Sequence, residues 1–551
     1  MIHDHQRSGD GSNLLQLLIK WWKILHKSLY AECAKEIILH TKESDKWWMI
    51  AALKGSTKRM VQMSGFVPLP LVLNDLDQPD KLVCDPEGVK ATTCKYFEQL
   101  YDHSRVCKLP KPWLTTPLVT TIKNHVVNDQ FQWPHKASLA DFHAMIWRGN
   151  HHLSPGPDQW EKWTIKSLSD RALSLILDLH NYEVMNSCFP GNITNSWLTT
   201  IFKHGLCTDL KNWRGVSFSK FLANSPMTWL NQCLIQYVAE KSILPDTQVA
   251  AQPGVQTCDL MSYLAGIKCW ANQHKQPIYA IKRDQIKGFD YLSPEGFYDE
   301  IWAYSLPSTI IDLDKAAQAQ VQCFIHTAYG TTSLITISGV SKQGGPASPL
   351  KLMFTTSMGH YYLIYKDKDA LMITPTSNKC RDPHLMDTQL QLQVAMVEAT
   401  DSSYIFSWST DSLIWNTLTM ERFQYAYRWQ IQWVKLNAYI IALVKDKTYP
   451  DTITFKSVTI GRREVDPLTI TKHTIALIKN DLDFLWTKVD NPSARFKDLQ
   501  NFIDTFQFPM IIGHLPITLI HKIVAQNIIS KCHALLSLQP ILTADAEKLD
   551  N

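Results

Sequence analysis

Three short segments of the 551-residue chain carry residue types that could support phosphoryl transfer. In IYAIKRDQIKGFDYL an apolar run leads to Asp284, and in EATDSSYIF a polar turn that holds Asp401 separates two apolar stretches. Between them, SKQGGPASPLKLMF contains the pair Gly344 and Gly345. Two carboxylates at neighbouring strand ends suit a pair of Mg²⁺ ions, and a glycine turn lets backbone approach a base or phosphate closely. Taken singly, each segment is more often an ordinary turn or cap.

Apolar patterns and turn residues predict the elements that must position these segments. Residues 277–281 are predicted as a buried strand that stops at the polar residues 282–284, with Ser293 and Pro294 as N-cap and first residue of the next helix. Three further helices are predicted: one begins at Asp170, one spans 257–273, and one runs from about 411 to 433. The other predicted elements are a strand at 393–397, a tight turn at 400–403, an outgoing strand at 404–406, the strand LNAYIIALV and a hairpin around 460–463. This mixture of helices and hairpins favours an α+β fold.

Composition excludes several classes of protein. The 45% hydrophobic and 11% aromatic content is incompatible with disorder of the whole chain. The 12 cysteines form no C-x-x-C pair, which argues against a disulfide scaffold or a zinc ribbon. No apolar run approaches the roughly 20 residues of a membrane span, and the polar start is not a signal peptide, so we expect an intracellular protein of the nucleus or cytoplasm that is not secreted. The sequence also lacks P-loop, dinucleotide-binding, zincin and α/β-hydrolase motifs.

The net charge of +4 is concentrated at the beginning of the chain. Residues 1–60 contain 10 Lys and Arg against 6 Asp and Glu, which leaves 45 against 45 in the remainder. Within this segment, residues 14–30 alternate apolar pairs and lysines at near-helical spacing. The pattern fits a helix docked on the core with a solvated basic face, a contact to a nucleic-acid backbone, or a helix on a membrane surface.

The order and spacing of the three segments resemble motifs A, B and C of reverse transcriptases. D-x-x-x-G-F-D is followed about 55 residues later by Q-G-x-P-x-S-P, and a similar distance later by the aspartate of a strand, turn and strand. Upstream, SPGPDQWEKW and DLKNWRGVSFSKFLANSP resemble the fingers boxes of LINE-type, non-LTR retrotransposon polymerases, and LPDTQVAAQPGVQTCDL resembles the stretch before motif A. Downstream, WQIQWVKLNAYII resembles motif D, so the similarity covers about residues 130 to 450.

This resemblance implies an RNA-directed DNA polymerase with a right-hand fold, in which fingers and an antiparallel palm sheet are followed by thumb-like helices. The implied domains are a helical N-terminal linker module at 1–135, fingers and palm at 136–445, and a thumb-like segment at 446–551. By position in the motifs, Asp284 and Asp401 would bind two Mg²⁺ ions, or Mn²⁺ in their place. Lys435 would act as a proton donor, and the nucleotide would be bound by residues from three motifs: Arg214 at the triphosphate, Phe289 at the sugar and Gln343 near the base.

The resemblance also implies partners: an RNA template, a DNA primer and deoxynucleoside triphosphates. Four departures from the family pattern count against an intact, active polymerase. Ser402 replaces the second motif C aspartate, Leu436 replaces the motif D threonine, and Leu153 and Ser154 stand where a basic residue usually precedes PGPD. Nothing in 1–130 resembles the family's endonuclease, so a truncated or decayed reading frame, or a separate endonuclease, is expected. The alternative hypothesis is a catalytically inactive retroelement remnant that at most binds nucleic acid.

Overall fold

The architecture is that of a computed structural model, described for residues 69–101, 109–148, 155–249, 252, 255, 257–286, 288–319, 321–337, 344–367, 369–373, 392–400, 402–445, 447–460, 468–479, 482–484, 487–488, 492–506, 516–517, 520–521 and 524–529. Several predictions fall outside these residues. They concern the basic segment 14–30, the pair Leu153 and Ser154, Gln343 and Asp401.

Helices make up much of the described chain. In order they are α1 Pro86–Tyr101, α2 Pro117–Asp129, α3 Leu139–Trp147, α4 Lys162–Lys166, α5 Asp170–Asn186, α6 Phe221–Glu240, α7 Thr257–His274, α8 Gly288–Tyr291, α9 Glu295–Ala303, α10 Thr309–Gln318, α11 Ser348–Lys366, α12 Thr410–Ala426 and α13 Pro492–Thr505. Short 3₁₀ turns lie at Pro112–Thr115, Gly191–Thr194, Leu210–Asn212 and Trp433–Lys435, and a π-helical turn lies at Val524–Ile529.

Strands alternate with these helices along the chain. They are β1 Leu73–Asn74, β2 Leu82–Val83, β3 Ser196–Phe202, β4 Trp213–Ser219, β5 Ile278–Asp284, β6 Val321–Thr327, β7 Gly330–Thr331, β8 Ile335–Ile337, β9 Met372–Ile373, β10 Leu392–Gln393, β11 Met396–Ala399, β12 Ser402–Ser407, β13 Asn437–Ile441, β14 Thr452–Phe455, β15 Val458–Ile460, β16 Leu468–Ile470, β17 His473–Lys479, β18 Asp483–Phe484 and β19 Thr487–Lys488.

A central sheet with strand order β11-β12-β5-β13-β17-β14 brings together strands from distant parts of the chain. Its pairs are antiparallel except for the parallel pair of β13 and β17. A second sheet has the order β4-β3-β6-β7, with β8 paired to β6, and combines antiparallel with parallel pairs. The described chain is therefore mixed α/β with mixed sheets, which agrees with the α+β prediction.

Both faces of the central sheet are covered by apolar side chains. Along β5, Ile278 and Ala280 belong to a core shared with α7, whereas Ile281 belongs to a core shared with α11 and α12. Because successive side chains of a strand point to opposite faces, one strand contributes to both cores. A third core joins the helices α2, α3, α5, α6, α9, α10 and α11, and a fourth packs α1 against β3, β4, β6 and β8.

Several local predictions are confirmed. Helix α5 begins at Asp170 with the Ser169 hydroxyl accepting the Ala172 amide, and α7 covers the predicted helix at 257–273. The predicted hairpin forms from β11 and β12, and β15 pairs antiparallel with β16 on either side of the hairpin predicted around 460–463, whose residues 461–463 lie outside the described ranges. Helix α11 follows the glycine turn with Pro349 in its first turn.

Several predicted boundaries are wrong, including those of the hairpin, where β11 starts at Met396 and β12 starts at Ser402. Strand β5 continues to Asp284, because both neighbouring strands pair with its polar end. The helix predicted to reach about residue 433 ends at Ala426, since Arg428 adopts φ +69° and the Trp429 amide turns back to the Gln424 carbonyl. Helix α9 begins at Glu295, one residue later than predicted, with Pro294 at the N-cap position. The Ser293 hydroxyl still accepts the Glu295 amide at 3.3 Å.

Among the described residues, no helix combines the length and apolar character needed to cross a bilayer.

Candidate active site

The end of β5 and the beginning of β12 lie side by side in the central sheet. Ser402 is the register partner of Asp284, and Ala399 of β11 is the register partner of Ser402. The hairpin turn is tight, with Thr400 at φ +62°. Register partners in antiparallel strands have Cα atoms about 4.5–5.5 Å apart. Asp401 itself is outside the described residues, but its chain neighbour Ser402 lies next to Asp284.

Lys435 reaches the same strand end from a third segment of the chain. Its Nζ lies 3.0 Å from Oδ2 of Asp284, 151 residues away in sequence. Backbone pairing fixes this approach: the Gln432 amide donates to the Asp284 carbonyl at 2.9 Å, and the Ile286 amide donates to the Gln430 carbonyl at 3.0 Å. The side chains of Lys435 and Asp284 remain 47% and 29% exposed, so solvent and ligands can reach the pair.

The reverse face of the strand ends is anchored by buried charge that the sequence did not reveal. Arg283 is fully buried and donates to the Ser403 hydroxyl at 3.4 Å and to the Gln424 side-chain carbonyl. Burial raises the pKa of nearby Glu421 to about 7, although the Arg283 charge and the Ile431 amide act to lower it. In sequence, Lys282, Arg283 and Asp284 suggest a solvated turn, and only the two-residue alternation of β5 could have indicated that Arg283 points inward.

Phe289 lies on the short helix α8, just beyond the end of β5. It is half-buried and packs against Leu352 of α11, Leu292 and Trp429. The indole Nε1 of Trp429 donates to the Gly288 carbonyl at 2.6 Å, which holds α8 against the segment that leads to Lys435. The side chain proposed to face the sugar is thus fixed relative to the β5 strand end.

The glycine turn before α11 rests directly on the strand that carries Arg214. Gly344 has φ +104°, and a Cβ atom added there would lie 2.6 Å from the carbonyl oxygen of Ser217. Arg214 is half-buried on β4, opposite Ile201 of β3. Two of the proposed nucleotide-binding segments therefore touch, and glycine is required where they meet. Gln343 lies outside the described residues.

The two fingers-like boxes also meet on β4. A Cβ atom added to Gly156, in the PGPD box, would lie 2.6 Å from the Lys220 amide nitrogen and from the Ser219 carbonyl carbon. Burial lowers the pKa of Lys220, partly offset by Asp158 of the same box. Segments that are about 60 residues apart in sequence form one contact.

A small cavity of about 50 Å³ lies beside the glycine turn, away from Asp284 and Lys435. Its polar lining includes Ser219, Asn224 and the buried ion pair of Lys351 with Asp314. None of the proposed catalytic or nucleotide-binding residues that the structure describes lines this cavity.

The donor atoms at the β5 and β12 ends are of the kind that Mg²⁺ accepts. Asp284 offers a carboxylate and Ser402 a hydroxyl, and hard divalent cations prefer such oxygen ligands. Within the described ranges, no group of three or more His, Cys, Asp or Glu side chains is placed to bind a metal ion. Asp284 is the one proposed metal ligand that lies within the described residues. Its single negative charge is partly balanced by the Lys435 ammonium.

No protein-family model matches the chain, and no curated protein sequence matches it.

Proposed function

We propose that this chain is an RNA-directed DNA polymerase of the LINE-type, non-LTR retrotransposon class, with a right-hand fold of fingers, palm and thumb. One observation carries the proposal: Asp284, the start of the Ser402 strand and Lys435 meet at one partly exposed strand end. They come from the segments that resemble motifs A, C and D. Local turn chemistry alone gives no reason for three distant segments to converge in this way.

The reaction would join a primer 3′-hydroxyl to the α-phosphate of a nucleotide on an RNA template. Two Mg²⁺ ions, or Mn²⁺ in their place, held by Asp284 and Asp401, would supply the positive charge that stabilises the attacking and leaving oxygens. Lys435 would protonate the leaving pyrophosphate. Arg214 would bind the triphosphate through its planar guanidinium, while Phe289 and Gln343 would position the sugar and the base.

A second candidate is a retroelement remnant that binds nucleic acid without synthesis. Ser402 favours it, because the missing carboxylate removes one negative charge from a site that would hold two divalent cations. The Lys435 ammonium favours it as well, since it already compensates the charge of Asp284. This candidate predicts RNA or DNA binding that weakens steeply with added salt.

Primer extension by the full chain, wild type and Ser402→Asp, separates the two candidates. The polymerase proposal expects Mg²⁺-dependent synthesis by the wild type and faster synthesis, or synthesis at lower Mg²⁺ concentration, by Ser402→Asp. Synthesis by Ser402→Asp alone would identify the wild type as an inactive copy. Salt-dependent RNA binding, measured on both proteins, then tests what the remnant retains.

A further inference from the structure

A buried carboxylate lies inside the β11 to β12 hairpin, on the face of the sheet opposite Asp284. Glu398 of β11 is fully buried and is the register partner of Ser403, so it lies one residue pair away from the row that contains Ser402 and Asp284. Neighbouring rows of a sheet point to opposite faces. Glu398 therefore cannot touch a substrate bound at Asp284, yet it belongs to the same strand ends.

Three side-chain donors converge on this carboxylate. His360 Nε2 and Gln248 Nε2 each lie 3.1 Å from Oε2, and Gln285 Nε2 lies 3.3 Å from Oε1. His360 is 1% exposed, and its Nδ1 is 2.9 Å from the Thr247 hydroxyl, so both ring nitrogens have partners. Arg283, also buried on this face, adds positive charge near Glu398.

Backbone bonds hold the same group together. The Glu398 amide donates to the Thr247 carbonyl at 2.9 Å, and the Val249 amide donates to the Glu398 carbonyl at 2.9 Å. Gln248 also donates to the Thr356 hydroxyl of α11 at 2.6 Å. Helix α11, the 247–249 segment, β11 and β5 are thus joined around one carboxylate.

The network contains residues that are close in sequence to both proposed metal ligands. Gln285 follows Asp284 directly, and Glu398 precedes Asp401 by three residues. A buried polar network adds little stability over apolar packing but can specify one arrangement of its elements. We propose that Glu398 and His360 form a positioning pair that fixes the strand ends of both metal-binding aspartates relative to α11. This inference rests on the proposed polymerase function.

The test is Mn²⁺ affinity of the full chain, measured by electron paramagnetic resonance with the metal alone. Asp284→Ala should abolish binding and so identifies the site. His360→Ala should weaken binding about tenfold, the effect of losing a group that orients metal ligands. His360→Gln, which keeps an amide donor for Glu398, should restore most of the affinity.

His180→Ala is the matched control. His180 is also fully buried, and its Nδ1 lies 3.1 Å from the Ser225 hydroxyl, but it lies in the helical core of α5 and α6. It should lower the Tm and leave the Mn²⁺ affinity unchanged. If His360→Ala does not fold, Glu398→Gln takes its place. This substitution keeps the side-chain volume and removes the carboxylate that His360 contacts.

Unchanged affinity in His360→Ala or Glu398→Gln, or an equal loss in His180→Ala, would overturn the positioning role. A wild type that binds no Mn²⁺ would overturn it as well. A wild type that binds Mn²⁺ with the expected dependence on His360 but extends no primer would refute the polymerase proposal alone, so the two failures can be told apart.

Discussion

The contact between Lys435 and Asp284 is better explained by chemistry than by stability. Both side chains are partly exposed, and ion pairs of that kind contribute about 0–1 kcal/mol to folding. A bound cation would compete with the ammonium for the carboxylate, and the released lysine would lie next to the reacting phosphates. In the proposed reaction, the pair would therefore place a proton donor beside a metal-binding carboxylate before the metal and the nucleotide bind.

Replacing Lys435 with methionine should remove the proton donor without disturbing the fold. We expect kcat for nucleotide incorporation to fall about 100-fold, within the range for loss of a general acid, with an unchanged KM for the nucleotide. The free energy of unfolding should change by less than about 1 kcal/mol. Single-nucleotide incorporation kinetics and urea denaturation measure the two effects.

Lys479→Met is the control for this substitution, because Lys479 pairs with the exposed Asp451 at the matching distance of 2.9 Å and is absent from the polymerase-like motifs. Its kcat should stay at the wild-type value. Equal losses in the two lysine variants would show that Lys435 has no special role.

Among the elements, those built from local signals were predictable and those built from distant pairing were not. The Ser169 cap, the α11 start at a proline and the β11 to β12 turn all depend on a few neighbouring residues. The end of β5 depends instead on ladders to β12 and β13, more than 100 residues away, and those ladders turn Arg283 into a core residue. Helix α12 stops where the chain is needed to pair with β5, which its own composition does not indicate.

The glycine turn that precedes α11 should tolerate no side chain. Gly344→Ala combines a positive φ with a clash against the Ser217 carbonyl, so we expect a loss of roughly 1–3 kcal/mol in the free energy of unfolding. Because Gly344 directly follows Gln343, which is proposed to position the base, the KM for nucleotide should also rise. Chemical denaturation and steady-state kinetics check the two effects.

Gly330→Ala separates strain from the clash. Gly330 has a similar φ of +98°, but a Cβ atom there meets nothing within 4 Å. Gly330→Ala should lower the free energy of unfolding only by the cost of the backbone strain, and it should leave the KM for nucleotide unchanged. If both alanine variants behaved alike, the contact of the turn with β4 would be unimportant.

At the scale of the whole molecule, motif order predicted two residues that meet at the β5 strand end, but it did not predict the buried network behind them. Motif order singled out Asp284 and Lys435, and the structure brings them into contact. Motif order gave no hint of Glu398 or His360, and only the two-residue alternation of β5 could have indicated that Arg283 is buried. The strand order of the central sheet likewise depends on crossovers between distant segments, which no local pattern encodes.

The buried carboxyl of Glu421 should make global stability depend on pH. Burial raises the pKa of Glu421 to about 7 in the folded chain, against about 4.5 for an exposed glutamate, so folding takes up a proton between pH 4.5 and 7. The contribution of Glu421 to the free energy of unfolding is greatest below pH 4.5 and is lost as the pH rises through 7. Relative to wild type, Glu421→Gln should therefore gain about 3 kcal/mol across that range, at about 1.4 kcal/mol per pKa unit.

Urea unfolding at a series of pH values measures this difference. Other buried acids, such as Glu183 and Glu300, titrate in both proteins and cancel in the comparison. A difference between the two proteins that stays constant from pH 4.5 to 7 would show that Glu421 is ionised throughout.

In the proposed function, Asp284 is a catalytic metal ligand of an RNA-directed DNA polymerase. The most direct measurement is Mg²⁺-dependent primer extension on an RNA template by the full chain, comparing wild type, Asp284→Asn and Asp451→Asn. Asp284→Asn should lose roughly 10³-fold or more of the rate, since several kcal/mol of charge stabilisation disappear. Asp451→Asn, which breaks the comparable surface pair with Lys479, should retain the wild-type rate. Equal rates for wild type and Asp284→Asn would contradict a catalytic role for Asp284.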